Sequence, residues 1–328
     1  MEIEANFFKG HEMRKTYRSK KFRENICIKY TDLDGGPAVF EINQQLLTDI
    51  IKSKVKRFTL EGYTLTGRQL FYQLVKDNAV PNAEKVYKRI LSLLVDLRYN
   101  GVIDWDAIED RARESSRPSQ WKHISGLIDS ALYAYRLPRW KDQDYYLELY
   151  CEKQALEGIL RPVADKYHIY YGSNKGYSSA SAMYRIAKRM DDKIYANKIC
   201  KLIYLGDHDP SGLDMVRDIQ ERICEFLGLE VENNEFFNVI PVALNKEQIE
   251  IYSPPPNPAR FEDPRAKWYI KEFGNVSWEL DALEPSVLVD VAEGAILEYL
   301  DMDKYNGWIK REKKDAIKLR EFNKGPEE

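Results

Sequence analysis

The sequence predicts an α/β protein: a Rossmann-like parallel sheet with helices on both faces, preceded by an α-rich module. Two observations carry this. Across residues 145–227, apolar runs of strand length alternate with longer runs of helical periodicity, the order that builds strand-helix-strand units. Ahead of them, residues 44–100 hold three amphipathic helical patterns in succession. With 328 residues, 44% of them hydrophobic, the chain is long enough for one large core or two to three smaller ones, and too apolar for general disorder.

Taken in order, residues 1–43 read as a basic extension, containing "FKGHEMRKTYRSKKFRENICIK". The segment "QQLLTDIIKSKVKRF" then places Leu46, Leu47, Ile50, Ile51, Val55 and Phe58 at helical spacing, with a basic outer surface. A second helix lies within "TLTGRQLFYQLVKDNAVPN", stopped near Pro81. A third, "AEKVYKRILSLLVDLRYNG", turns Val86, Ile90, Leu93, Leu94 and Leu97 inward and closes at Gly101. "VIDWD" follows as a short extended segment, with Asp106 and Glu109 spaced as a capping box for what comes next. Helix, helix, longer basic helix and small wing is the order of a winged-helix module that binds DNA, so residues 44–120 are assigned to one. On its third helix, Lys85, Lys88, Arg89 and Arg98 are candidate phosphate contacts; the same residues also fit a merely solvated face.

A polar stretch, "ESSRPSQ", precedes a connecting helix within 121–144. The sheet domain spans 145–240, with strands expected at 145–151, 167–171 and 201–206 and helices at 153–164, 178–191 and 212–227. Residues 241–328 read as a proline-rich connection, "YSPPPNPARFEDPRAKWY", and two helices at 285–300 and 303–323.

Bulk properties narrow the setting. Net charge is −3, with basic ends and an acidic middle, which suits a basic face for an anionic polymer beside an acidic pocket for a cation. The four cysteines form no CxxC pair, so a reducing, cytoplasmic compartment is expected. No apolar stretch approaches the roughly 18–20 residues that span a bilayer, and no secretion signal opens the chain; no membrane partner is expected.

Candidate chemistry gathers at the strand ends. In an open parallel sheet, ligands collect outside the carboxyl ends of strands. Glu152 ends the first strand ("LELYCE"), and Asp207 with Asp209 ends the third ("LIYLGDHD"), so the fold itself would bring three carboxylates together. Three such groups repel and raise one another's pKa. A hard divalent cation resolves that conflict; Mg2+ is the expected metal, with Mn2+ as a substitute. Pro210 and Gly212 would shape the turn that exposes the acids, and alternation points His208 away from them. Glu279 and Asp281 in "SWELDALEP" would face one side of an extended segment and are candidate ligands for a second metal.

These residues resemble a known family. A strand ending in glutamate followed by DxDxxG is similar to the Toprim domain of topoisomerases, primases and several nucleases. More closely, "EKQALEGIL" (152–160) resembles the EKxAxFxxL segment of the topoisomerase VI A subunit and the related meiotic double-strand-break transesterase, with Glu157 in place of the usual aromatic. "NKGYSS" (174–179) is similar to their KGxPS loop and "DHDPSG" (207–212) to their DxDPxG. Upstream, Arg68-Gln69-Leu70-Phe71-Tyr72 resembles their RDIYY or RDIFY motif; Gln69 stands where the family carries an acid. The likeness covers roughly residues 60–240 and is nearest to small stand-alone A-like proteins.

The resemblance implies a Toprim domain behind a winged-helix tyrosine domain, and Mg2+-dependent cleavage of double-stranded DNA by Tyr72, leaving a 5′-phosphotyrosyl link and a free 3′ end. Tyrosine is a weak nucleophile at its ordinary pKa of about 10, so it needs nearby positive charge; Arg68, one helical turn away, supplies it. Metal at Glu152, Asp207 and Asp209 would stabilise the leaving oxygen. Lys175 and Gly176 sit in a loop suited to phosphate. The family also implies a homodimer, in which the tyrosine of one chain meets the acids of the other, and a separate ATPase or activating subunit, since the sequence has no GxxxxGK[ST] loop. Two alternatives stay open: a Toprim endonuclease in which metal-activated water attacks, and a non-catalytic DNA-binding subunit.

Overall fold

The computed structural model describes residues 24–32, 35–109, 118–173, 179–232, 234–258 and 266–323. An antiparallel hairpin comes first, β1 (Asn25–Thr31) and β2 (Pro37–Asn43), in register Ile28 to Phe40. Alternation puts Ile26, Ile28, Phe40 and Ile42 on the face that joins the first core. The end of the expected basic extension is therefore a β-ribbon, and the basic run before Glu24 lies outside the described residues.

Three helices build that core: α1 (Gln44–Leu60), α2 (Gly67–Lys76) and α3 (Glu84–Tyr99). Leu47, Ile51, Leu70, Leu74, Ile90 and Leu93 are buried between them. Between α1 and α2 runs the two-residue strand β3 (Leu65–Thr66), parallel to β4 (Ile108–Glu109). Gly101 closes α3 with φ +68°, a conformation that favours glycine. The extended wing expected at "VIDWD" is mostly turn: Trp105–Ala107 is a 3-10 helix capped by Asp104, whose carboxylate accepts from the Asp106 N–H at 2.9 Å. The expected capping role of Asp106 falls on that turn, since residues 110–117 lie outside the described set.

After α4 (Ile124–Ala134), the chain enters a four-stranded parallel sheet flanked by helices. Its elements are β5 (Tyr145–Cys151), α5 (Glu157–Tyr167), β6 (Tyr170–Ser173), α6 (Ala180–Tyr195), β7 (Ile199–Leu205), α7 (Pro210–Leu227) and β8 (Phe237–Ala243). Strand order is β6-β5-β7-β8. Alternate residues serve opposite faces: Leu147, Leu149 and Ile203 pack on α5, while Tyr146, Tyr150 and Tyr204 pack on α6 and α7. The fourth strand runs through residue 240, so the expected domain end there falls inside β8.

The remainder comprises α8 (Lys246–Tyr252), the paired two-residue strands β9 (Asn257–Pro258) and β10 (Val276–Ser277) with α9 (Ala266–Phe273) between them, then α10 (Pro285–Glu298) and α11 (Met302–Asn323). Helix α10 joins α5 on its face of the sheet. A 3-10 turn, Leu280–Ala282, ties the two halves: Ala282 belongs to the helical core, Leu280 and Leu283 to the core of the sheet. Among the described residues no helix is long and apolar enough to cross a membrane.

Candidate active site

The sheet topology creates the crevice. From β5 the chain leaves through α5 on one face, and from the adjacent β7 through α7 on the other. The carboxyl ends of β5 and β7 therefore flank a topological switch point, where open α/β sheets leave room for ligands. Glu152 and Asp207 stand there, and Glu152 Oε2 accepts from the Asp207 N–H at 2.8 Å.

Local sequence explains the turn after β7. Asp209 is the N-cap of α7, accepting from the Gly212 N–H at 2.6 Å and the Ser211 hydroxyl at 2.8 Å, and Pro210 fills the first helical turn. A Cβ on Gly212 would lie 2.2 Å from the Asp207 carbonyl oxygen, so only glycine lets the helix start this close. His208 points away from the acids: Nδ1 is 2.8 Å from the Tyr269 hydroxyl, and the ring packs edge-on to Phe273 and Trp278.

Two cations bridge the crevice. Lys153 Nζ sits 2.8 Å from Asp207, 2.6 Å from Glu279 and 2.9 Å from Asp281. Arg68, from the first turn of α2, pairs with Glu279 and lies 3.1 Å from Asp281. The segment is not extended as expected: Asp281 lies in the 3-10 turn Leu280–Ala282 and Glu279 caps it, and it is this turn that gives both acids the same partners, Lys153 and Arg68. Asp207 is further tied to the Leu280 N–H at 2.8 Å. Thus the 3-10 turn delivers two acids to the crevice from one side while α2 delivers arginine from the other.

Electrostatics follow from this crowding. Burial pushes the Asp207 carboxyl well above the ordinary range; Lys153 opposes the shift, and Glu152, Asp281 and Glu279 add to it. Glu152 is raised too, by burial first, then by Asp209 and Glu279 against the pull of the Asp207 N–H and Lys153. Glu279 goes the other way, to about 2, because Lys153 and Arg68 outweigh its burial. Lys153 stays charged: burial disfavours the ammonium, but Asp281, Asp207 and Glu279 more than offset it.

Tyr72 belongs to the same network. It is 4% exposed, and its hydroxyl oxygen lies 3.1 Å from Asn257 Nδ2 and 3.5 Å from an Arg68 nitrogen. It lines a cleft of about 160 Å³ with Arg68, Asn82, Tyr87, Asn257 and Glu279. Burial pushes its phenol above the ordinary value, Glu279 and Asp281 push it further, and Arg68 and Asn257 pull back. Gln69 makes a capping box with Thr66: its side chain accepts from the Thr66 N–H at 2.8 Å, and its own N–H donates to the Thr66 hydroxyl at 3.3 Å. The amide therefore caps the start of α2, from whose first turns Arg68 and Tyr72 project.

No known family model, curated protein or solved structure matches the chain.

The other expected site residues divide. Lys175 and Gly176 lie outside the described residues. Lys85 and Lys88 are exposed on α3 and Arg89 is half-buried; Lys88 pairs with Glu84 at 2.7 Å. Arg98 is not a free phosphate contact: it donates to the Trp105 carbonyl at 2.6 Å and stacks on the Trp105 ring, holding the turn after α3. Glu152, Asp207 and Asp209 meet at one crevice but do not close around a common point; among the described residues, no three His, Cys, Asp or Glu side chains stand as a ready metal cage. Two members of the network were missed in the sequence. Lys153 directly follows Glu152 in the "EK" block, which was a signal; Asn257 lay in the proline-rich stretch read as a connection.

Proposed function

We infer that the chain is a DNA-cleaving enzyme acting by Mg2+-dependent tyrosyl transesterification, similar to a topoisomerase VI A subunit without its own ATPase. One observation carries the reading: the Tyr72 hydroxyl and the acids at the switch point belong to one continuous network, running from Tyr72 through Arg68 and Asn257 to Glu279, then through Lys153 to Asp207. A nucleophile and a phosphate-binding centre have to be this closely coupled, and neither core needs such a network for packing. Within one chain Tyr72 connects to Glu279 through Arg68 and Asn257.

The donor set suits a hard divalent cation. Four carboxylates, Glu152, Asp207, Glu279 and Asp281, share the counter-charge of Lys153 and Arg68, Asp209 adds a fifth negative group beside Glu152, and burial leaves Asp207 and Glu152 hard to ionise without more positive charge. Glu152, Asp207 and Asp209 would hold Mg2+, which when bound would supply positive charge for a phosphate and a departing oxygen. Arg68 orients and charges the space beside Tyr72, and the exposed lysines of α3 offer phosphate contacts that set register on a duplex. Winged-helix and Toprim domains, a homodimer and a separate ATPase or activating subunit belong to this same reading.

A second reading is favoured by one feature. The Tyr72 phenol is pushed away from ionisation, and burial is the largest cause. Water activated at the acids would then attack instead, and the chain would be a hydrolytic endonuclease.

Purified wild type, Tyr72→Phe and Asp207→Ala are incubated with supercoiled and linear DNA plus Mg2+ or Mn2+, and products are resolved with and without protease digestion. Protein trapped on 5′ ends and lost in Tyr72→Phe is the expected result. Free cleavage products that survive Tyr72→Phe but vanish in Asp207→Ala would replace transesterification with hydrolysis.

A further inference from the structure

We propose that Asn257 is a catalytic residue of the Tyr72 site: its side-chain amide donates to the Tyr72 oxygen and stabilises negative charge there, while Asn82 holds the amide in position. This rests on the reading of Tyr72 as the nucleophile.

The hydrogen-bond chain fixes the orientation of the amide by elimination. The Pro256 carbonyl can only accept, so the Asn82 atom 2.8 Å from it is the amide nitrogen. That nitrogen also lies 2.6 Å from Asn257, so the Asn257 atom facing it is the carbonyl oxygen. Asn257 Nδ2 is thereby turned the other way, toward the Tyr72 hydroxyl at 3.1 Å and Glu279 Oε1 at 3.3 Å. The Glu279 carboxylate oxygen beside it accepts, which suits a donor at that place. Both N–H bonds of the amide are thus directed, one to the tyrosine oxygen and one to a carboxylate.

The backbone makes this arrangement stiff. Asn257 lies on β9, paired with Ser277 of β10, two residues before Glu279. Asn82 comes from the other half of the molecule, just ahead of α3. A simple staple between the halves would need only the Asn82 contacts with Pro256 and Asn257 Oδ1. The second N–H on the Tyr72 oxygen goes beyond that need. It is also nearer to that oxygen than Arg68, whose guanidinium is shared with Glu279 and Asp281.

The chemistry gives the donor a role in both directions. In cleavage, a bond forms between the Tyr72 oxygen and phosphorus as the bond from phosphorus to the 3′ oxygen breaks. The phenolic proton passes to water in the cleft, the departing 3′ oxygen takes one from water, and nothing is oxidised or reduced. Charge gathers on the tyrosine oxygen as it attacks, and again as it leaves on religation, so one N–H donor lowers both barriers.

The test uses the full chain with fluorotyrosine at position 72, in otherwise wild-type, Asn257→Ala and Asn82→Ala proteins. The 19F signal is titrated with pH, and single-turnover adduct formation on DNA is followed in the unlabelled counterparts. Asn257→Ala is expected to move the titration midpoint upward and to slow adduct formation about tenfold or more, the size of a hydrogen bond to a charged oxygen, with little change in the DNA concentration giving half-maximal rate. Asn82→Ala, which leaves Asn257 itself in place, is expected to shift both in the same direction by less. An unmoved midpoint with undiminished adduct formation in Asn257→Ala overturns the assignment of Asn257 alone. A wild type that forms no adduct overturns the nucleophilic role of Tyr72, and the catalytic role of Asn257 with it.

Discussion

Two glutamates on the same strand, four residues apart, live in opposite electrostatic regimes. Glu148, 2% exposed in the middle of β5, receives two parallel hydrogen bonds from Arg189 at 2.7 Å each and a third from the Tyr146 hydroxyl at 2.8 Å. One carboxylate meets one guanidinium, and the balance is complete. Glu152, just past the strand end, is one of five neighbouring carboxylates set against two cations, Lys153 and Arg68. Both side chains are buried. The two places differ in whether the carboxylate's charge has been neutralised locally, and the crevice holds more acids than cations, an excess that a further cation would relieve.

The sharpest way to break this contrast is to remove one charged group at a time from each place. Asp207→Ala is expected to reduce DNA cleavage to background in a gel assay while the chain stays folded by circular dichroism, because the excess charge there is a liability to folding. Lys153→Met should have the next largest effect. It leaves Asp207, Glu279 and Asp281 without their shared ammonium and is expected to cost about 3–5 kcal/mol in a denaturant melt, with Mn2+ restoring more stability to it than to wild type. Arg189→Ala should cost about 2–3 kcal/mol, less than a fully buried pair because the Arg189 side chain is 31% exposed, and Mn2+ should restore none of it. Smallest is the double change Lys85→Ala with Arg89→Ala: weaker DNA binding by fluorescence anisotropy and a salt slope lower by about 2, whereas Arg98→Ala should move stability and not the slope.

How much of this was legible depended on the chemistry of each stretch. Strands β5 and β7 read clearly because "YYLELYC" and "ICKLIYL" are apolar but for one charged residue each, Glu148 and Lys201, as strands covered on both faces tend to be. Strand β8 did not, because "FNVIPVA" carries Pro241, which a sheet tolerates on an edge strand, and β8 is an edge. The first hairpin was hidden by the basic residues around it, although Ile26, Ile28 and Tyr30 alternate as a strand requires. At the site, the acids were visible because their positions follow from strand ends. Lys153 was not, since a lysine beside a glutamate ordinarily looks solvated, and only the arrival of Glu279 and Asp281 from a remote turn buries it. Asn257 needed Asn82 and Tyr72 beside it before its role could be read, and no local pattern encodes that meeting. Gln69 shows the reverse: a "TGRQ" stretch whose capping box with Thr66 is local and readable from spacing alone.

The excess of acid at the switch point is the central claim, and divalent-ion binding tests it most directly. Titration calorimetry of the full chain with Mn2+ should give saturable binding for wild type and for Arg189→Ala, and none for Asp207→Asn, whose side chain keeps its shape and loses its charge. Binding that is absent from wild type, or unchanged in Asp207→Asn, would contradict the account.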